Sequence, residues 1–312
     1  MKVEIIRLHS ELEDQQPVCA CIGYFDGLHR GHKGLIDAAI AKAKEYGCES
    51  ALITFDPDPW ITIGRAKSVK HLTTMQQRIE LAEKMGLDRV IILDFIKEMA
   101  DLPPEEFIDM LQDHCNLKAL VCGFDFHYGK FGAGNTETLK QEAEGRFDAV
   151  VIDSINDNGD KISSSRICNC LAEGNIEEAN RLLGYPYEIL GTVVHGRQKG
   201  RLWGVPTANI QYDEETLLPL GGVYAGVAEC EGRTWMAMIN IGYNPTCNPI
   251  NTLSVEAHIL DVNEDLYGKE MRIRFYQRLR SEQKFDSLQQ LVDQLNKDKE
   301  SVRQYFRVFH HE

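Results

Sequence analysis

The chain has 312 residues, long enough for two domains that each bury a hydrophobic core. Apolar residues make up 43% of it and charged residues 26%, as in ordinary globular proteins, and the formal net charge is −14. An acidic chain without a basic block is not typical of proteins that bind DNA or RNA, so we expect no nucleic-acid partner. Any anionic ligand is then expected to be held by local donors or by a metal ion.

The sequence also argues against secretion and membrane insertion. The N-terminal stretch MKVEIIRLHSELED has no apolar core and no small-residue cleavage site, which predicts that there is no signal peptide. No apolar run approaches the roughly 20 residues that a membrane helix needs. The nine cysteines include no C-x-x-C pair, so we expect reduced thiols and a cytoplasmic protein.

The first half of the chain alternates short apolar runs with amphipathic segments. The runs are nearly continuous in apolar residues, which is typical of strands buried on both faces of a parallel sheet. They lie at 18–22, 51–55, 90–95, 119–123 and 149–153, and helices are predicted at 32–46, 75–86 and 103–115. This order predicts a doubly wound parallel-sheet α/β domain that binds its ligand at the carboxyl ends of the strands.

The second half of the chain has a different pattern. Residues 164–183 resemble one amphipathic helix, which Gly184 and Pro186 end. Short strand-like runs separated by turn clusters follow from 187 to about 277 and predict a small antiparallel β-barrel. A terminal helix is predicted at about 286–309. We therefore predict two domains, residues 1–185 and residues 186–312.

The first candidate site is the segment GYFDGLHRGH, residues 23–32, which joins the first predicted strand to the first helix. A helix N-terminus offers free N–H groups and a positive dipole, and glycines let a phosphate approach the backbone closely. His29 and His32 lie three residues apart and share a face if the first helical turn includes both. From these residues alone, an ordinary turn with two unrelated histidines remains an alternative.

Four segments together resemble the nucleotidyltransferase half of bacterial bifunctional riboflavin kinase/FAD synthetases. GYFDGLHRGH is similar to the family's G-x-F-D-G-x-H-x-G-H, and TFDPDP to its T-F-[DE]-P-H-P. VCGFDFHYGKFGAGN is similar to V-V-G-x-D-F-x-F-G-x-x-R-x-G-D, and ISSSRICNCLAEGNIEEANRLLG to I-S-S-T-x-I-R with its connecting helix. The order of the segments matches the family over essentially the whole chain.

The resemblance implies that this half transfers the adenylyl group of Mg-ATP to FMN, giving FAD and pyrophosphate. His29 and His32 would hold ATP phosphates, and Ser164 and Arg166 would close on them. The remaining ATP-binding residues that the resemblance implies are Gly23, Phe25, Asp26 and Gly27. The flavin-binding residues that it implies here are Gly123, Asp125, Phe126 and Tyr128.

Three positions depart from the family pattern. Asp58 replaces a usual histidine, Gly132 a common arginine, and Cys168 the last arginine of I-S-S-T-x-I-R. Because the loss of one transition-state phosphate contact can cost about a hundredfold in rate, we expect adenylyl transfer to be present but impaired or unusual. The candidates for compensating cations are Lys130, Lys140 and Arg166.

The second candidate site is HGRQKGRLWGVPTANI, residues 195–210, where glycines alternate with basic residues before P-T-A-N. Basic side chains and exposed amides suit a polyphosphate, and Thr207 and Asn209 offer oxygen ligands for Mg²⁺. A solvated hairpin is the alternative. The segment resembles the riboflavin kinase signature G-x-x-x-G-x-x-x-G-x-P-T-A-N. Similarity extends to GGVYAG (221–226), NIGYNPT (240–246) and VEAHILDVNEDLYGK (255–269).

The resemblance implies that the barrel transfers phosphate from Mg-ATP to riboflavin, with Glu256 as the base for a ribityl hydroxyl. The implied ATP-binding residues are Gly196, Arg197, Gly200, Arg201, Pro206 and Thr207. Asn209 and Glu256 would contact the flavin, and Thr207 and Asn209 would bind Mg²⁺.

The leading hypothesis is thus a bifunctional enzyme that makes FMN from riboflavin and FAD from FMN. We expect its partners to be ATP, riboflavin and FMN, and the chain to be a monomer or a weak homo-oligomer. Two alternatives remain open from the sequence. The chain retains one activity, the kinase before the transferase, or it is a non-catalytic flavin-binding regulator.

Overall fold

The computed structural model describes residues 1–9, 16–196, 205–243 and 253–309. The chain folds into two compact units, Met1–Ser164 and Ser165–Glu312. This division falls after the first residue of the two helices that follow the sheet in the chain. The predicted boundary between residues 185 and 186 remains a prediction.

The first unit is built on a six-stranded parallel sheet, which confirms the predicted fold class. The strands are β1 (Lys2–Ile6), β2 (Val18–Ile22), β3 (Glu49–Asp56), β4 (Arg89–Asp94), β5 (Leu117–Gly123) and β6 (Asp148–Ile152). The helices are α1 (Lys33–Tyr46), α2 (Pro59–Thr62), α3 (Met75–Lys84), α4 (Lys97–Ala100), α5 (Pro104–Cys115) and α6 (Thr136–Ala143). A two-stranded ribbon, Asn156–Asp157 with Asp160–Lys161, follows β6.

The strand order β1-β4-β3-β2-β5-β6 fixes where this unit binds ligands. From β2 the chain proceeds outward to β3 and β4, and β5 then returns to the opposite side of β2. The neighbours β2 and β5 therefore flank the point where the strand order reverses, and ligands bind at such points, at the carboxyl ends of the strands. Two of the sequence motifs lie there, one starting at Gly23 and the other continuing past the end of β5 at Gly123.

The edge strand β1 is absent from the sequence prediction. Val3 is 45% and Ile5 52% exposed, so the segment lacks the continuous apolar run of a buried strand. It pairs in parallel with β4, where the guanidinium of Arg89 contacts the carboxylates of Glu4 and Glu49. Arg89 is 1% exposed, and its charge is balanced by strands on both sides of β4.

The second unit begins with two helices, α7 (Ser164–Glu173) and α8 (Ile176–Leu183), where the sequence predicted one. The prediction was wrong because Gly174 has φ +77° and Asn175 then caps α8 by accepting a hydrogen bond from the Glu178 N–H. A Cβ at position 174 would lie 2.8 Å from Cδ of Arg278, so the break also makes room for a barrel side chain.

A closed antiparallel barrel forms the core of the second unit, as the sequence predicted. Its strands are β9 (Glu188–Val194), β10 (Ala208–Tyr212), β11 (Gly222–Cys230), β12 (Arg233–Tyr243), β13 (Leu253–Ile259) and β14 (Glu270–Arg280). Around the barrel the order is β10-β13-β12-β11-β14-β9. The two strands of the short ribbon in the first unit are β7 (Asn156–Asp157) and β8 (Asp160–Lys161).

The terminal helix α9 (Leu288–Phe309) packs on the outside of the barrel. Its residues Val302 and Phe306 form a cluster with Val223, Ala225 and Met238. Side chains alternate along a strand, and a six-stranded barrel has no room inside for a helix, so these strand residues point outward. Among the described residues, no helix has both the length and the apolar character to cross a membrane.

Candidate functional sites

The first site is the turn Gly23–His32 between β2 and α1, which we call the phosphate cradle. Its backbone is strained at Phe25 (φ 55°) and Leu28 (φ 37°), whereas Gly27 (φ 83°) adopts its positive φ without strain. A Cβ at Gly31 would lie 2.7 Å from the carbonyl oxygen of Ile162 and 2.9 Å from the ring of His29. The surrounding chain therefore holds the turn in one conformation.

His29 and His32 are stacked on each other in this cradle. Their ring centroids are 3.7 Å apart at an interplanar angle of 15°, and the buried ring of Phe25 contacts His32 edge-on. His29 precedes a short 3-10 turn and His32 precedes α1, so stacking joins them rather than a shared first turn of one helix. In the described part of the chain, Nδ1 of each ring is buried without a hydrogen-bond partner.

Burial makes both imidazoles neutral at pH 7. Desolvation lowers the pKa of His29 to about 4, and the positive charge of Lys161 acts in the same direction. Desolvation also puts the pKa of His32 well below its ordinary value, with further lowering by His29, Lys161 and Arg78. Each neutral ring keeps one N–H donor, which suits a phosphate oxygen that displaces water from the site.

Asp26 holds the cradle against the chain before α3. Its carboxylate accepts hydrogen bonds from the N–H groups of Leu72 and Thr73, both at 3.0 Å, and lies 3.7 Å from the Arg78 guanidinium. These contacts occupy the side chain that the resemblance assigned to ATP. Asp26 therefore anchors the cradle from beneath, and its assignment to ATP binding stays a prediction.

Arg78 is a buried cation that the sequence patterns did not single out. It is 3% exposed, stacks over the Tyr24 ring at 4.5 Å, and donates to the Tyr24 carbonyl oxygen. The sequence did carry a signal that this arginine is buried. Arg78 occupies the first position of an i, i+3, i+4 pattern on α3 whose other members, Leu81 and Ala82, are apolar.

Ser164 and Arg166 lie on different sides of the division between the units. The Ser164 hydroxyl donates to the Asp26 carbonyl oxygen at 2.9 Å, so this serine directly contacts the cradle backbone. Arg166 belongs to the second unit, where its Nη2 lies 3.2 Å from the Glu178 carboxylate.

The loop after β5, residues 123–135, carries the predicted flavin-binding residues. Gly123 ends β5, the Asp125 carboxylate pairs with Lys161, and Phe126 stacks on Tyr128 with centroids 5.5 Å apart. Tyr128 is 4% exposed and its hydroxyl donates to Glu142 at 2.7 Å. Tyr128 therefore supports the loop from the core, and Phe126 and Asp125 are the members placed nearer to solvent.

Lys161 connects this loop to the histidine pair and was also missed. Its Nζ pairs with Asp125 and lies 4.8 Å from the centroid of Phe124, which is 47% exposed. It is also close enough to His29 and His32 to lower the pKa of both. The first unit thus has a cation at the carboxyl ends of its central strands. Nothing in the sequence pointed to it, because it lies in a polar ribbon.

The departure at Asp58 has a structural explanation. The Asp58 carboxylate caps α2 by accepting from the Trp60 N–H, and it accepts from the Tyr24 hydroxyl at 2.6 Å. The same hydroxyl lies 3.0 Å from Nδ1 of His71, whose Nε2 is 4.0 Å from Asp58. An imidazole therefore lies beside position 58, although it comes from another part of the chain.

The other departures and their candidate replacements are at more exposed places. Gly132 has φ +65°, and Cys168 lies within α7. Lys130 and Lys140 form exposed ion pairs, with Asp101 at 3.3 Å and Glu137 at 2.9 Å. Such pairs contribute little free energy, so neither lysine is firmly held.

The second site is a row of polar side chains on the outer face of the barrel. Asn209 of β10, Glu256 of β13 and Asn240 of β12 lie directly opposite one another across three paired strands. The Thr207 hydroxyl lies 3.4 Å from the Glu256 carboxylate. A carboxylate between two amides and beside a hydroxyl can accept a proton from a bound alcohol while the amides orient it.

Two described residues, Gly196 and Pro206, pack closely against this part of the barrel. A Cβ at Gly196 would lie 2.1 Å from the Asn209 amide nitrogen, so only glycine fits there. The carbonyl oxygen of Pro206 lies 2.7 Å from Nδ1 of His258. Arg197, Gly200 and Arg201 fall within 197–204, outside the described residues, and stay predictions.

The fold and the two sites together are those of a two-unit enzyme that transfers phosphate-containing groups. A parallel sheet presents a histidine pair and a helix N-terminus at its switch point, which suits a nucleotide phosphate. A separate barrel presents a carboxylate, two amides and a hydroxyl, which suits transfer to an alcohol.

Comparison with known proteins identifies the family. An FAD synthetase family model matches residues 11–166, and a riboflavin kinase family model matches residues 183–306. The bifunctional riboflavin kinase/FMN adenylyltransferase of Listeria monocytogenes is 40% identical over 91% of this chain and 91% of its own. The Bacillus subtilis protein of the same name is 38% identical over 96% of this chain and 95% of its own.

A solved structure from Streptococcus pneumoniae, described as a macrolide-efflux protein, has the same fold with a TM-score of 0.88. It is 31% identical and covers 97% of this chain and 99% of its own. On these matches, the chain belongs to the bifunctional riboflavin kinase/FMN adenylyltransferase family, as the sequence motifs predicted.

Proposed function

We propose that the barrel unit phosphorylates riboflavin to FMN and that the parallel-sheet unit adenylylates FMN to FAD, each with ATP, through the residues described above. Both catalytic family models match the chain, and nothing favours the loss of either activity. The chain is thus a bifunctional enzyme of FAD biosynthesis.

In the first unit, the FMN phosphate attacks the α-phosphorus of ATP, and pyrophosphate leaves. The phosphate is already ionised, so the protein needs no general base and contributes positioning and charge neutralisation. His29 and His32 donate N–H groups to ATP phosphates, and α1 directs its positive end toward them. Lys161, Phe124 and Asp125 form the side of the site that receives the flavin nucleotide.

In the barrel, Glu256 accepts the proton of the primary ribityl hydroxyl. The oxygen of that hydroxyl bonds to the γ-phosphorus of ATP, and ADP leaves. Asn209 and Asn240 orient that hydroxyl from either side of the carboxylate. Thr207 and Asn209 offer the oxygen donors that Mg²⁺ prefers, and they would hold the ion with ATP. Mg²⁺ supplies neutralisation of the phosphate charge when it is bound.

The row Asn209–Glu256–Asn240 is the observation that carries this assignment, because three separate strands bring it together. The direct test incubates the pure protein with riboflavin and Mg-ATP, and separately with FMN and Mg-ATP, and resolves FMN and FAD by chromatography. We expect FMN and FAD from the first mixture and FAD from the second.

The alternatives give different products in the same assay. FMN without FAD would indicate that the substitutions at Asp58, Gly132 and Cys168 had abolished adenylyl transfer. Unaltered riboflavin and FMN would indicate a flavin-binding regulator. A repeat without Mg²⁺, in the presence of a chelator, tests the metal and should abolish both products.

The surroundings of the enzyme are also part of the proposal. The net charge of −14 supports small-molecule partners rather than nucleic acid. The eight cysteines in the described part of the chain are free thiols, which supports a reducing, cytoplasmic setting. We propose a monomer or weak homo-oligomer without membrane attachment, which sedimentation of the pure protein would test.

A further inference from the structure

The imidazole of His258 is buried on the outer face of the barrel, two residues after Glu256. The side chain belongs to the same face of β13 as Glu256 and lies opposite Met238 of β12. It is 7% exposed, and its Nδ1 is 2.7 Å from the carbonyl oxygen of Pro206. Buried polar groups in this position need a defined partner, and the Pro206 carbonyl provides it.

The chemistry of this contact fixes the protonation of the ring. A carbonyl oxygen only accepts hydrogen bonds, so Nδ1 carries the proton and donates it. Burial lowers the pKa of His258, and the positive charges of Lys299 and Arg303 of α9 lower it further. The hydrogen bond to Pro206 and the negative charge of Asp261 act in the opposite direction. The ring is neutral, with its one N–H directed at the backbone before Thr207.

The contact also closes a ring of interactions around the proposed kinase base. His258 donates a hydrogen bond to the carbonyl oxygen of Pro206, and the hydroxyl of the next residue, Thr207, lies 3.4 Å from the Glu256 carboxylate. Glu256 in turn precedes His258 by two residues in β13. Backbone pairing begins only at Ala208, opposite Ala257. The bond from His258 therefore holds the Pro206 carbonyl just before β10, beside the Thr207–Glu256 contact and the buried side chain of Val205.

We propose that His258 is a positioning residue for riboflavin phosphorylation, because it fixes the Pro206–Thr207 backbone and so sets Thr207 against Glu256. This inference rests on the proposed function of Thr207 and Glu256. A displacement of about 1 Å in such groups can cost about a hundredfold in rate, so the effect of losing the bond is measurable.

Two variants of matched polarity test the hydrogen bond. In His258→Asn, the amide N–H occupies the place of Nδ1–H and can still reach Pro206. In His258→Gln, the amide lies farther out, near the place of Nε2. His258→Leu removes the donor and keeps the volume. The full-length proteins are assayed for riboflavin phosphorylation over a range of Mg-ATP, and FMN adenylylation by the same samples is the control.

We expect His258→Leu and His258→Gln to lower kcat/KM for Mg-ATP in riboflavin phosphorylation by about tenfold or more. His258→Asn should stay within about threefold of the original chain, and FMN adenylylation should not change. Hydrogen exchange should be faster at the amides of residues 207–209 in the Leu and Gln variants and restored in the Asn variant.

The Asn and Gln variants decide the matter even if the Leu variant fails to fold. Equal kinase activity and equal exchange in these two variants would overturn the proposal. If the unsubstituted protein forms no FMN at all, the proposed function of the barrel is wrong. Failure of the proposed function is therefore distinguishable from failure of the His258 proposal.

Discussion

The two sites of this enzyme are built in opposite ways. The phosphate cradle of the first unit is buried and strained, and its histidines are neutral because water is excluded from them. The row on the barrel is a half-buried strand surface that exposes a carboxylate between two amides. The first site depends on burial for its chemistry, whereas the second depends on the register of paired strands.

The largest effect is expected from Glu256→Gln, which keeps the shape of the row and removes the base. A general base contributes about 10²- to 10⁴-fold, so FMN formation from riboflavin should fall by that factor. FMN adenylylation in the same sample should stay within about twofold. A fall in both activities would indicate that the two sites are not independent.

The cradle is tested by His29→Ala, which removes one phosphate donor and leaves His32. We expect FAD formation from FMN to fall about a hundredfold, since the donor acts on charge that develops in the transition state. Riboflavin phosphorylation should be unchanged and serves as the control. An unchanged rate of FAD formation would exclude His29 from the reaction.

The buried state of His29 also predicts acid sensitivity. Its pKa is about 4 when folded and about 6.5 when unfolded, so the unfolded chain binds more protons between these values. Stability is therefore lost as the pH falls from about 6.5 toward 4. The loss from His29 alone is about 2 kcal/mol between pH 7.5 and pH 5, and His32 acts in the same direction.

Urea unfolding followed through Trp60, in a W203F/W235F background, measures this loss in the first unit. His29→Asn removes the titrating group and should flatten the pH dependence. If the free energy of unfolding depends equally on pH with and without His29→Asn, a buried neutral His29 would be contradicted. ATP should reduce the loss, because phosphates favour protonated histidine.

The smallest expected effects are on the rate of FAD formation, and they distinguish Lys161 from Lys130. We expect Lys161→Met to lower the rate of FAD formation about tenfold, mainly through KM for FMN, because it removes a cation next to Asp125 and Phe124. The same change should raise the pKa of His29 slightly, since Lys161 lowers it. Lys130→Met, at an exposed pair with Asp101, should change the rate by less than about twofold. A reversed order would favour Lys130 as the compensating cation.

Comparison of the sheet with the barrel also shows what periodicity can predict. The strands β2 to β6 are evident as apolar runs because each is covered on one or both faces by helices. β1 was missed because it is an exposed edge strand that depends on β4 and on Arg89 for its place. The helix predicted over 164–183 failed at Gly174, whose positive φ ends α7 while the apolar pattern continues through the break.

The sequence by itself determined the family, the two-unit architecture and the motif residues, since each motif is local and follows a recognisable strand or turn. Only the tertiary structure decided which motif residues are buried and which segments of the chain lie beside them. It placed Tyr128 in the core, used Asp26 and Asp58 as backbone anchors, and brought Lys161, Arg78 and His71 to the first site. The physical reason is that burial and charge compensation arise between segments far apart in the chain.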